Sequence, residues 1–186
     1  MSRTLLCACA LALVALLGSR VAPAAYGYPM PGGTPHPKAG PALLSWKTMY
    51  GIGGPFLGAA HPQHGTNGDL LPWVLKSAKG SLTTGGHLTI TVKGLVFPDS
   101  PDVPPALRGT NNEAMFRGLV SCVTVTGDSV VESNVVTDGF PASAAGNSKI
   151  DAWLQLPNPC TSPVVMVLAG SRDAWFASTG YITGTY

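Results

Sequence analysis

The side chains of this chain that could do chemistry are few, and their spacing says what each could support. His61-Pro62-Gln63-His64 places two imidazoles in one short loop. A zinc site needs three or four ligands in tetrahedral array, so this pair would have to recruit Asp69 and His87 through the fold. Asp99 and Asp102 flank a proline-rich turn. Calcium takes six to eight oxygens, and two carboxylates with neighbouring carbonyls are only a beginning. His61, His64, Asp99 and Asp102 are therefore weak metal candidates, and neither a metal nor another cofactor is expected.

Nucleophilic catalysis has no signature. No Gly-x-Ser-x-Gly elbow occurs. Ser171 follows Gly170 but precedes a charged turn, and Ser129 follows Gly127-Asp128 without the second glycine. A triad on one of the four histidines would have to be assembled by tertiary folding. Asp151 and Glu132 obey no spacing rule of a glycosidase pair. Tyr50-Gly51-Ile52-Gly53-Gly54 has the glycines of a phosphate loop without the Lys-Ser/Thr or the helix that would hold the anion. No catalytic residue is assigned, and the balance is against an enzyme.

Trp153 is the most informative single residue. Strand parity sets it with Lys149, Asp151 and Gln155 on a polar face. An exposed indole among hydrogen-bonding groups can stack on a sugar ring or meet a partner protein. The alternative is that residues 46–73 or the preceding linker fold over it as a second core. Trp153, Asp151 and Gln155 are the candidate ligand-binding residues.

The elements that must position these residues are strands. Leu88, Ile90 and Val92 alternate with His87, Thr89, Thr91 and Lys93, which puts the first set on a buried face. Gly85-Gly86 is the expected tip of a hairpin whose other arm is Val74 to Thr83. Gly94 breaks the alternation and predicts a bulge or bend. Met115 to Val125 is apolar in both parities, as in a central strand, and Ser129 to Thr137 reads as a weaker edge strand. Lys149 to Leu156 alternates with Ile150, Ala152, Leu154 and Leu156 inward. Val164 to Ala169 is continuously apolar, and Ala174 to Thr183 closes the fold. These seven strands, with no useful helical period, predict an all-β, two-sheet β-sandwich, immunoglobulin-like in architecture. Residues 98–112 form a long surface loop, a candidate site by position. Residues 46–73 are apolar but broken by Gly and Pro, and are expected to cover one end or edge of the sandwich, with a short strand near Lys47 to Tyr50.

Residues 1–24 have the parts of a secretory signal peptide: Arg3, the apolar helix Leu5 to Leu17, and Ala22-Pro23-Ala24. The apolar run is shorter than the ~20 residues of a spanning helix, so no membrane span is expected after cleavage. Cys7 and Cys9 leave with it. Residues 25–45 read as a Pro/Gly-rich linker and residues 46–186 as the sandwich. Removing 24 of the 186 residues leaves 162, which suits one domain. It also removes Arg3 and Arg20, so the 11 basic residues fall to 9 and match the 9 acids. No block of like charge exists, which argues against nucleic acid and against anionic membrane surfaces. Cys122 and Cys160 remain, and in an oxidising compartment an even pair forms a disulfide. Two free thiols are the alternative, with no histidine or third cysteine near either.

The blocks LPWVLKSAKGSLTTGGHLTITVKGLVF, FRGLVSC, LPNPC and AWFASTG, within residues 70–180, resemble a group of small exported bacterial-type β-sandwich proteins of unknown function. The resemblance implies a secreted all-β domain. It implies no activity and carries over no functional residue. The functional expectation is, first, a non-enzymatic interaction module, extracellular or in the cell envelope, with a protein or glycan partner. A carbohydrate or small apolar ligand-binding module, using Trp153 and the loops around His64 or Asp102, comes second, and a hydrolase third. The oligomeric state is not legible at this level.

Overall fold

A computed structural model describes residues 38–180. Residues 1–24, read above as a signal peptide, residues 25–37 of the stretch read as linker and residues 181–183 of the expected closing strand lie outside the described residues. Eleven strands occur among those described: β1 (Ala42–Trp46), β2 (Tyr50–Gly51), β3 (Asn67–Gly68), β4 (Ser77–Thr83), β5 (His87–Lys93), β6 (Met115–Thr126), β7 (Ser129–Val136), β8 (Phe140–Pro141), β9 (Ser148–Trp153), β10 (Thr161–Ala169) and β11 (Ala174–Ser178). The seven expected strands correspond to β4, β5, β6, β7, β9, β10 and β11. Three of the other four have two residues each, too short to show a period. The fourth, β1, lies in the stretch read as linker except for its last residue, Trp46; there Gly40-Pro41 hides the apolar Leu43 and Leu44 behind them.

The strands form two sheets, β1-β4-β5-β9 and β2-β11-β10-β6-β7, with β3 added to β11 and β8 to β6. The first is built on the β4–β5 hairpin, which pairs Leu82 with Leu88 and Ala78 with Val92. β9 then sets Ile150 beside Ile90. Leu82, Leu88, Ile90, Val92 and Ile150 are buried, each contributing roughly 1.5–3 kcal/mol. The second sheet faces them with Phe116, Val120 and Cys122 of β6. The layers approach closely at Gly118, where a Cβ would lie 2.9 Å from Leu88 Cδ2 and 3.5 Å from Ile150 Cγ2. A larger side chain there would wedge the sheets apart. The hairpin ladder ends at Lys93, and Gly94 takes a left-handed φ of 64°. That turn lets Leu95 and Phe97 reach the core although they are out of phase with Val92.

β6 is central and buried on both faces, as its composition requires. β7 is the edge of its sheet and leaves Val130, Val131 and Val136 exposed. Residues 46–73 do cover an edge: β2 and β3 both hydrogen-bond to β11. They also enter the core. Trp73 stacks on Phe176 at 4.0 Å and meets Phe97 at 4.1 Å, with Met49 and Ile52 also buried.

Cys122 and Cys160 form the expected disulfide, with Cα atoms 5.0 Å apart and a sequence separation of 38. It joins β6 to the residue before β10, its neighbour in the sheet, so it staples two adjacent strands. Closing a loop of that length removes unfolded-chain entropy worth about 4 kcal/mol. No helix among the described residues is long and apolar enough to cross a membrane.

Candidate functional site

The candidate site forms where β9 runs out. β9 leaves its sheet after Trp153, and Leu154 N–H donates to Gly86 O at 2.9 Å. Gly86 sits at the tip of the hairpin with φ 87°, and a Cβ there would fall 1.9 Å from Leu154 O. Only glycine allows this approach. It creates a corner between the β4–β5 turn and the segment 154–160, which carries four closely spaced apolar residues before Cys160. Leu43 of β1 closes the side.

The resulting groove has a volume of about 810 Å³. Leu43, Leu154, Leu156, Pro157 and Pro159 supply apolar wall, Trp153 an aromatic surface, and Thr84, Gln155 and Asn158 neutral hydrogen-bonding groups. Among the described residues no ionisable side chain lines it, since Cys160 is held in the disulfide. That bridge anchors the outer wall of the groove to the centre of the sandwich.

Trp153 is half-buried, not fully exposed as parity alone implied. Its cross-strand partner is His87, and the two rings stack at 4.6 Å and 15°. His87 Nε2–H donates to Asp151 Oδ1 at 2.8 Å, and Lys149 Nζ lies 3.5 Å from Asp151 Oδ2. The His87 hydrogen bond, helped by Lys149 and opposed by partial burial, holds the Asp151 carboxyl below its ordinary value of 3.8. The structure thus places Trp153 and Gln155 in the groove and Asp151 one step along β9, where its carboxylate is engaged in orienting His87 against the indole. Leu43, Thr84, Asn158 and the glycine corner were missed from sequence. The run Leu156-Pro157-Asn158-Pro159-Cys160, with two prolines before a disulfide cysteine, was the available signal for a rigid wall.

The metal candidates are not brought together. His61 Nδ1 contacts Pro55 O at 2.9 Å, Asp99 lies 3.7 Å from Arg108, and Asp102 accepts from Ser100 Oγ at 3.3 Å. His87 is committed to Asp151, and Asp69 to Arg172 and Trp73. Among the described residues no three His, Cys, Asp or Glu side chains converge.

Tertiary folding does assemble one serine, histidine and carboxylate. His64 Nδ1 lies 3.3 Å from Ser121 Oγ and 3.0 Å from Glu132 Oε1. Both partners meet the same ring nitrogen. A carboxylate can only accept, so Nδ1 carries the proton and cannot take another from Ser121. A catalytic relay needs the two ring nitrogens separately, one for the serine and one for the acid. Asn134 Nδ2 donates to His64 O at 2.7 Å and helps hold the residue at φ 48°. The cluster clamps the 61–66 turn onto β6 and β7. Of the serines read from sequence, Ser171 donates to Glu113 Oε1 at 2.9 Å, and Ser129 begins the exposed edge strand. Asp151 and Glu132 stand on different sheets.

A second polar node was invisible in the sequence. Arg172, in the β10–β11 turn, donates from Nη2 to Asp69 Oδ1 and from Nη1 to Glu113 Oε1, each at 2.6 Å. The two carboxylates are buried while the guanidinium is half exposed. Pairing with Asp69 first, and then Glu113, raises the Arg172 pKa further above its ordinary value. Asp69 Oδ2 also accepts from Trp73 Nε1 at 2.6 Å. The node therefore locks residues 46–73, the end of the long loop and the last hairpin together.

No protein-family model, curated protein or solved structure matches the chain.

Proposed function

We propose that this protein is an exported, non-enzymatic β-sandwich that binds a neutral saccharide in the groove beside Trp153. The observation that carries the reading is the groove itself: about 810 Å³, within the roughly 300–1,000 Å³ of small-molecule sites, with an indole, two carboxamides, a hydroxyl and no charge. A sugar ring offers apolar C–H faces to an indole and hydroxyls to amides. A charged ligand would lose hydration here and find no counter-charge. The resemblance to small exported sandwiches, the leader-like residues 1–24 and the disulfide all fit an oxidising compartment. The single-nitrogen geometry at His64 supports a binding role over a hydrolytic one.

The test is a screen of neutral and charged glycans on the secreted protein, followed by calorimetric titration of the best ligand. Trp153→Ala and Gln155→Ala are the variants, each checked for intact fold by circular dichroism. Neutral glycans should bind, and both folded variants should bind at least tenfold more weakly. If charged glycans bind in preference to neutral ones, if none binds, or if both variants bind like wild type, the assignment is wrong.

A further inference from the structure

The strand β7 ends its sheet with little of the protection that edges carry. Edge strands avoid pairing with other chains through brevity, bulges, prolines or charged side chains, lysine above all. β7 has eight residues, Ser-Val-Val-Glu-Ser-Asn-Val-Val, with no proline and no lysine, and its one charge, Glu132, is paired with His64 at 3.0 Å. Its register with β6 runs unbroken from Ser129 opposite Thr126 to Val136 opposite Leu119. Val130 is 73% exposed. The first sheet is edged differently, by β1 with a register shift and by the six-residue β9.

The backbone groups that face outward can be named. The two-residue turn Gly127-Asp128 makes Thr126 and Ser129 the closing hydrogen-bonded pair. Alternation along an antiparallel ladder then directs Val131, Ser133 and Val135 toward β6, and Val130, Glu132, Asn134 and Val136 to the open edge. Thr137 N–H bonding Gly118 O at 2.8 Å keeps the same phase.

We propose that β7 pairs antiparallel with β7 of a second copy about a two-fold axis through Ser133. A two-fold perpendicular to a sheet keeps each side chain on its own face, so only residues of equal parity can oppose one another. An axis at Glu132 would set carboxylate against carboxylate. An axis at Asn134 would set Glu132 against Val136. The axis at Ser133 sets Val130 against Val136, Val131 against Val135, and Glu132 against Asn134, so that no like charges meet; both side chains also hold His64 in their own copy. The segment Val-Val-Glu-Ser-Asn-Val-Val is thus complementary to its own reverse, which is what an isologous interface requires. The eight outward N–H and C=O groups of Val130, Glu132, Asn134 and Val136 find partners in the other strand. Asp128 falls near Asp138 of the second copy at each end, so salt should favour the pair by screening them.

Cysteine cross-linking reads the register directly. Ser133 opposes itself as a non-hydrogen-bonded pair, whose close Cα spacing suits a disulfide. Ser133→Cys should therefore form a covalent dimer under mild oxidation. Val131→Cys alone should not, but mixed with Val135→Cys it should give the heterodimer. Wild type should shift from monomer to dimer in sedimentation across a concentration series, more readily at high salt. Val130→Lys, at an exposed position, should shift the equilibrium at least tenfold toward monomer without changing the circular dichroism spectrum. A wild type that stays monomeric at every concentration, together with no Ser133→Cys cross-link, would overturn the proposal. So would a dimer in which Val131→Cys links to itself, or open-ended aggregates in place of a closed pair.

Discussion

Replacing Arg172 with methionine should cost more than any other surface substitution in this protein. The change keeps the aliphatic stem and removes the guanidinium. It leaves the carboxylates of Asp69 and Glu113, only 5% and 7% exposed, without the cation that bridges them. Each lost bond is charge-assisted at 2.6 Å, and such bonds contribute about 1.5–3 kcal/mol. Because the guanidinium is itself 46% exposed, water replaces part of what is lost, and the net cost should fall near the lower sum, about 3 kcal/mol. That corresponds to a fall in Tm of roughly 6–12 °C for a domain of this size. The assay is urea unfolding followed by far-ultraviolet circular dichroism and by tryptophan fluorescence, the latter because Trp73 donates to Asp69. Arg172→Lys, a point charge that cannot fork to both acids, should lie between wild type and Arg172→Met. The triple variant Arg172→Met, Asp69→Asn, Glu113→Gln removes the stranded charges and should recover part of the loss. If Arg172→Met unfolds within about 0.5 kcal/mol of wild type, or if the triple variant is no more stable than the single one, the node is not what holds residues 46–73 in place.

Two further outcomes follow from the groove and its supports. The double variant Cys122→Ala, Cys160→Ala should lose about 4 kcal/mol of unfolding free energy and bind groove ligands more weakly, since Cys160 anchors the 154–160 wall; unchanged stability and binding would show the wall to be held by other contacts. Asp151 titrates below 3.8 in the folded protein, so its contribution is present above that value and is lost as pH falls through the lower, folded value. Asp151→Asn should accordingly be less stable than wild type near neutrality, by under about 1 kcal/mol for so exposed a pair. The gap should close as acid is added, and thermal melts that run parallel down to about pH 2 would contradict the link to His87.

The local pattern and the global fold agree over most of this chain, and the reason is physical. A two-residue period requires one buried face. Of the segments that show it or run continuously apolar, β4, β5, β6, β10 and β11 have ladder neighbours on both sides, and β9, an edge strand, keeps the period because Ile150 is buried in the core. Where pairing is short, the period has no room to appear: β3 and β8 leave no trace in the sequence, and β2 shows only as the short strand expected near Lys47 to Tyr50. β1 was lost because composition in a window from residue 25 to 45 averages its apolar residues with the prolines before them.

The sequence by itself determined the all-β class, the hairpin with its Gly85-Gly86 tip, the central place of β6, the edge position of β7 and the pairing of Cys122 with Cys160. Each follows from the period, the turn chemistry or the even cysteine count, all of which are local properties. It also pointed to Trp153 and Gln155, because parity is local too. Only the tertiary structure decided what surrounds them. Leu43 and Asn158 are 115 residues apart in the numbering yet line one groove, His64 reaches Ser121 and Glu132 through a single nitrogen, and Arg172 finds two acids from distant loops. Such meetings depend on how the sheets stack and where loops return, and no period or spacing along the chain encodes that distance.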